Sequence, residues 1–401
     1  MSIKRIISLI GFSTTASSEK TNFKSILSLI EIEKPITILS IDGEGVRKII
    51  PGRIYVQTLK KSKEARIADY FDVISGPSTG GLITTMISVS NDKGRPLYAA
   101  DQIVPFYKEN CPKIFPNSGK GNEENEVVSE EGLGKPYYAG EYLHQLTRDT
   151  LGEKRVSDIT LTKVVIPAYD IKKLSPIVFS SYQVENGNKV LDALHSDICI
   201  STSAAPVHLP AYKFSNEGQE FNCIDGGVAA NNPNRPQRFS TSGSLIRDSE
   251  NKEEKYNADL ANSWWAINWL IYPLTKFWKA EHPLPEILFD ASSDMSDYYC
   301  TMFFESFRNA QNFLRVQDDK LPKELSRLDN GNPANLDKLE EYAKNLLNKP
   351  VTSLNSATFD RYEIDAAVTY GEALKEFAKK LYDIKHSQKA KTKVKVKTFV
   401  H

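Results

Sequence analysis

The chain predicts an α/β fold built on a parallel sheet covered by helices. Three observations predict it. Apolar, β-branched runs alternate with stretches that suit helices, in the order β-loop-α-β-turn-α over the first eighty or so residues. Three of these runs end in glycine-bearing loops, at residues 42–47, 76–81 and 225–227. The 401 residues are 40% hydrophobic and 25% charged, enough to bury a large core.

The first firm strand is Ile36 to Ile41, ending in Asp42-Gly43-Glu44-Gly45, and residues 51–61 read as a helix. Tyr70 to Ile74 predicts a buried strand, and Gly81 to Ile87 opens a helix. Residues 95–115 mix aromatics with Pro105 and Pro112 and predict broken helix and loop. Residues 119–134 are acidic and polar and predict an exposed insertion. Further strands are expected at 164–166, 177–180, 221–224, 287–289 and 313–316. Residues 336–347 and 370–381 have the spacing of amphipathic helices. No internal repeat or linker divides the chain.

Lys+Arg and Asp+Glu both number 51, so no global charge steers the chain to nucleic acid, and none is expected as a partner. No apolar run is long enough to cross a bilayer. Cys111, Cys199, Cys223 and Cys300 are scattered and suggest neither a zinc site nor a disulfide framework. No ligand cluster suggests a metal, and no cofactor is expected. The first eighteen residues fit neither a secretory signal nor an arginine-rich transit peptide. A cytoplasmic location is therefore the expectation, with a peripheral seat at membranes as a further option.

Gly76-Pro77-Ser78-Thr79-Gly80 reads G-x-S-x-G between a strand and a helix. There a serine hydroxyl would stand over free helix N–H groups, suited to attack on an ester. The alternative is an ordinary tight turn. Loop 42–47 offers consecutive N–H groups beside Arg47, an anion nest or a turn that simply needs glycine. It lacks the third glycine of a dinucleotide loop and the G-K-[ST] of a Walker loop. A serine nucleophile needs a base. None of the six histidines sits in a setting that marks it as one, although His282 falls in the right chain order for a Ser–acid–His arrangement. Asp225 ends a strand before Gly226 and Gly227; it is either a base whose pKa burial would raise or an Asx-turn cap.

Taken together, Asp42-Gly43-Glu44-Gly45-Val46-Arg47, Gly76 to Gly81 and Asp225-Gly226-Gly227, in this order, resemble the patatin-like phospholipases. Ile166 to Leu174, Ser201-Thr202-Ser203-Ala204-Ala205-Pro206, Ala229 to Pro233, Ala291 to Met295 and Leu314 to Asp319 are similar to the plant branch of that family. The resemblance runs from about Ile36 to about Ser353. It implies a three-layer α/β/α fold, a mainly parallel sheet with helices on both faces. It implies a Ser–Asp dyad without histidine, with Ser78 as nucleophile and Asp225 as base. Gly43, Glu44, Gly45, Val46 and Arg47 would form the oxyanion hole, Gly76 and Gly80 the nucleophile elbow, and Gly226 and Gly227 the rest of the D-G-G motif. The implied reaction is hydrolysis of acyl esters in phospholipids, galactolipids or simpler esters, through an acyl-serine. The implied division is a poorly structured leader (1–33), a patatin-like domain (34–378) and a basic tail (379–401).

Two departures stand against that pattern. The family loop usually reads D-G-G-G-x-R-G, whereas this chain has Glu44 and Lys48 at two glycine positions. Glutamate would be strained at positive φ, and its charge would oppose a developing oxyanion. The stretch 234–255 is short and polar, so a sheet strand there is expected to be missing or poorly substituted. Both favour a second reading, a weakened or inactive member serving in storage, defence or lipid binding. Trp264, Trp265, Trp269 and Trp278 form an aromatic segment that would pack on the sheet or face lipid. The alternation Lys391 to Lys397 predicts an edge strand or a disordered basic tail able to bind anionic headgroups.

Overall fold

The computed structural model describes residues 36–58, 65–116, 136–159, 161–231, 239–240, 242–246, 261–263, 283–318, 321–322, 325, 327–358 and 360–397. The expected leader, the acidic insertion, the four tryptophans and His282 lie outside the described residues.

Strand β1 (Ile36–Ser40) leads through a 3-10 turn, Gly45–Lys48, into α1 (Ile49–Thr58). Strand β2 (Val73–Ser75) runs into α2 (Ser78–Ser88), followed by α3 (Ala100–Ile114) and α4 (Glu141–Leu151). Next come β3 (Lys163–Asp170), β4 (Ser175–Ser180), α5 (Ser181–Glu185) and α6 (His195–Ser203). Strands β5 (Tyr212–Asn216) and β6 (Gln219–Asp225) form a hairpin before the short α7 (Gly227–Ala230). Then follow β7 (Phe239–Ser240), β8 (Ser242–Ile246), α8 (Pro283–Ser306), β9 (Leu314–Asp318) and α9 (Pro333–Leu346). Hairpin β10 (Pro350–Leu354) and β11 (Arg361–Thr369) precedes α10 (Tyr370–Lys397).

The main sheet has the order β5-β6-β3-β2-β1-β7, with β4 also on β3. Strands β7, β1, β2 and β3 are mutually parallel. Beyond β3 the pairing turns antiparallel. The short β2 is buried throughout, as its continuous apolar run requires when helices cover a parallel sheet. This is the three-layer α/β/α arrangement.

One feature of β3 positions the site. Strand β4 occupies one edge of β3 from Val165 to Asp170. Strands β2 and β6 must therefore share the other edge. Strand β2 pairs with Lys163–Val165 and runs parallel; β6 pairs with Ala168–Asp170 and runs antiparallel. Their C-terminal ends point at each other across Ile166 and Pro167. A residue's N–H and C=O face the same edge in an extended chain. Proline has no N–H, so at the gap it leaves no orphan donor.

Three sequence expectations change, and a fourth, a poor substitute for a strand in 234–255, is met. Residues 100–114 form one helix despite two prolines. Pro105 and Asp101, whose carbonyl loses its partner, are both exposed, so water can take the bond, while Ile103, Val104, Phe106 and Tyr107 bury the other face. Ile287-Leu288-Phe289 is not a strand but lies in α8. Three apolar residues cannot separate helix from strand, and Pro283 suits a helix start. The 391–397 alternation is neither strand nor disordered tail but continues α10. Lysine supports helix once a helix is nucleated upstream. In 234–255 the lost strand has substitutes: β7 pairs with β1 over two residues, and β8 pairs with β9 in a separate parallel ribbon.

Candidate active site

Ser78 opens α2 with φ of 53°, a left-handed conformation that costs a non-glycine residue about 1–3 kcal/mol. Pro77 before it is extended, which proline accepts. The turn is enforced by its glycines. A Cβ on Gly76 would lie 2.4 Å from the Ile41 carbonyl oxygen, and one on Gly80 2.2 Å from the same atom. The Ser78 N–H donates to Thr202 Oγ1 at 2.8 Å. The Thr202 hydroxyl in turn donates to the Pro167 carbonyl at 2.6 Å.

Asp225 is the last residue of β6 and is buried. Its N–H donates to Ala204 O at 2.9 Å, and its Oδ1 accepts the Gly227 N–H at 2.7 Å. The Ser78 side chain is the neighbour that most strongly opposes the rise in its carboxyl pKa. A Cβ on Gly226 would strike Pro167 O at 2.1 Å, so only glycine lets this loop close over the strand gap. Burial raises the Asp225 pKa from 3.8 to about 7, against the hydrogen bonds from Ser78 and Gly227. No histidine is among the groups acting on it. His195, though fully buried, is pushed down to about 4 by its own desolvation, with Asp158 and Asp192 opposing.

The 43–47 loop rests on Ser78. A Cβ on Gly43 would lie 2.7 Å from Ser78 Cβ. The Gly43 N–H donates to Asn231 Oδ1 at 3.0 Å, and Asn231 Nδ2 donates to Ser293 Oγ on α8. Glu44 has φ of −155°, so the glutamate is not in the left-handed region and carries no such strain. Its N–H donates to Thr79 Oγ1 at 3.4 Å. Its buried carboxylate lies 4.0 Å from Arg47 and 3.9 Å from Lys48, so its charge faces two basic groups, of which Lys48 has its pKa lowered by burial. Gly45 is the position that needs glycine. Its φ is +59°, and a Cβ would lie 2.0 Å from Leu328 O. The N–H groups of Val46 and Arg47 are taken by Leu328 O and Glu44 O, whereas the Gly45 N–H meets no acceptor among the described residues.

Beneath the loop, Asp42 pairs with Arg315 at 3.0 Å, and Arg315 also lies 3.4 Å from Asp297. Sequence reasoning gave no role to Thr202, Asn231, Asp42 or Arg315. Thr202 and Asn231 stood in stretches quoted for the resemblance, yet no local signal says which loop a buried hydroxyl or amide will reach.

A family profile described as patatin-like phospholipase matches residues 39–236. The chain is 39% identical to patatin-like protein 3 of Arabidopsis thaliana, over 90% of this chain and 92% of that one. The chain belongs to the patatin-like phospholipase family. It is also 40% identical to Arabidopsis thaliana patatin-like protein 4, over 87% of this chain and 92% of the relative. Identity to patatin group M-2 of Solanum tuberosum is 35%, over 88% and 92%. The patatin-like profile therefore takes in all three glycine-bearing loops.

Proposed function

We propose that this chain is a lipid acyl hydrolase working through a Ser78–Asp225 dyad. Ser78 Oγ attacks the acyl carbonyl of a phospholipid, galactolipid or simpler ester while its proton passes to Asp225. The oxyanion is received by backbone N–H groups of the 43–47 loop, Gly45 among them, in the field of Arg47. Collapse expels the alcohol, which takes the proton from Asp225, and leaves an acyl-serine. Water then attacks the acyl-serine, giving its proton to Asp225. The free acid departs and the proton returns to Ser78.

The observation that supports this reading is the Ser78 side chain acting on a buried Asp225 carboxyl whose pKa lies near neutrality, with the Gly43 backbone packed so that an added Cβ would lie 2.7 Å from Ser78 Cβ. A free aspartate would be too weak a base to draw a serine proton; one raised to about 7 is matched to neutral pH. The basic groups beside Glu44 weaken one of the two arguments for an inactive protein. No helix among the described residues is long and apolar enough to cross a membrane, so lipid would be met at its surface.

The test is turnover of p-nitrophenyl esters and of phosphatidylcholine by the wild type and by Ser78→Ala. A loss of about a thousandfold or more is expected in the variant. Equal rates in the two proteins would remove Ser78 from the mechanism.

A further inference from the structure

We propose that Thr202 is a positioning residue that holds the nucleophile loop and the base loop against the same strand. The inference rests on the Ser78–Asp225 reading and adds what keeps the two groups in register.

Strands β2 and β6 meet end to end on one edge of β3, and neither can hydrogen-bond to the two residues between them. Thr202, the penultimate residue of α6, is buried there. Its Oγ1 accepts the Ser78 N–H at 2.8 Å and donates to Pro167 O at 2.6 Å. Its backbone carbonyl accepts the Gly226 N–H at 3.3 Å, next to Asp225. Its methyl faces Gly81, where an added Cβ would come within 2.9 Å of Thr202 Cγ2. One residue thus touches the serine loop through its side chain, the aspartate loop through its main chain, and the strand beneath both.

The residue type is set by this double duty. The hydroxyl must accept from an amide and donate to a carbonyl together, which serine or threonine can do and valine cannot. Ser78 sits in a conformation that persists only where its surroundings hold it. The Thr202 bond is a hold of that kind, reaching across 124 positions of chain. Without it the part-buried Ser78 N–H loses its partner, and the turn can relax by moving the hydroxyl away from Asp225.

The experiment compares wild type, Thr202→Val and Thr202→Ser. Rates are expressed per active site counted with a fluorophosphonate, so that misfolded protein does not enter. Thr202→Val is expected to lower kcat about a hundredfold, with KM changed less than about threefold. Thr202→Ser, which keeps the hydroxyl, should restore kcat to within about threefold. Amide exchange of the 76–82 segment should be about tenfold faster in Thr202→Val and normal in Thr202→Ser. A Val variant with wild-type kcat per site and wild-type protection at Ser78 overturns the proposal. Should Thr202→Val not fold, Thr202→Ala, which leaves room for a water, is read in the same way. Amide exchange needs no turnover, so it decides the role of Thr202 even if Ser78→Ala fails to affect ester cleavage.

Discussion

Asp42 and Asp225 look alike in sequence and in burial. Asp225 ends β6 and Asp42 lies two residues beyond the end of β1; each precedes a glycine, and each is almost fully buried. Burial raises both carboxyls, Asp42 to about 6 and Asp225 to about 7. Their partners differ. Asp42 faces Arg315 and, farther off, Lys48, and both cations oppose the rise. Among the described residues, the groups that lower the Asp225 pKa are a hydroxyl and an amide, neither of them charged. Burial thus sets the direction of the shift, and the charge of the partner sets the role. A carboxylate tied to a buried guanidinium is held as a charge. One beside a neutral serine can exchange its proton.

The sharpest way to break this contrast is to neutralise each carboxyl in turn. Asp225→Asn should lower ester turnover about a thousandfold, since its amide cannot take the serine proton. The fold should survive, because an uncompensated buried acid has been replaced by a neutral group. Asp42→Ala should do the reverse. It strips Arg315 of one of its two carboxylates and should cost on the order of 3 kcal/mol in urea unfolding. Activity per correctly folded site should fall far less than in Asp225→Asn. Equal losses per site in both variants would erase the distinction.

A gentler test uses pH. In the proposed mechanism ionised Asp225 is the working form, so kcat/KM should rise through pH about 7 and be lost as pH falls below it. Stability should move the other way. Both folded carboxyls have pKa values above the unfolded 3.8, so between pH about 4 and 7 the native state binds more protons. Native stability therefore declines as pH rises through that window. Asp225→Asn should flatten the decline, read as a smaller change in Tm between pH 4.5 and 8 (about these values). A wild-type rate flat from pH about 5 to 8 would exclude Asp225 as the titrating base.

The smallest expected effect is that of Glu44→Gly. Glu44 has negative φ and cationic neighbours, so restoring the family residue should change turnover by less than about tenfold. A much larger gain would mean that the carboxylate opposes the oxyanion after all.

What was legible in the sequence was mostly local. The β1 and β2 runs, the helix after Ser78 and strands β3, β4, β6 and β9 follow from apolar runs and glycine positions that need no distant partner. Helix α3 was misread because two prolines argue against helix in isolation, whereas burial of its other face outweighs them. Helix α8 was misread because three apolar residues carry no period. The groups that organise the site were beyond reach for another reason. Arg315 meets Asp42 across 273 positions and Asn231 meets Gly43 across 188, and only the packed sheet brings them together.

The 44–45 dipeptide carries a practical lesson for redesign. Position 44 sits next to an irreplaceable neighbour yet accommodates a glutamate, because its φ is negative and two basic side chains face its charge. At position 45 a single methyl would collide with Leu328 O. A saturation library across this loop should show a plateau beside a cliff, one residue apart. Counting glycines against a consensus would misjudge which substitutions the enzyme can absorb.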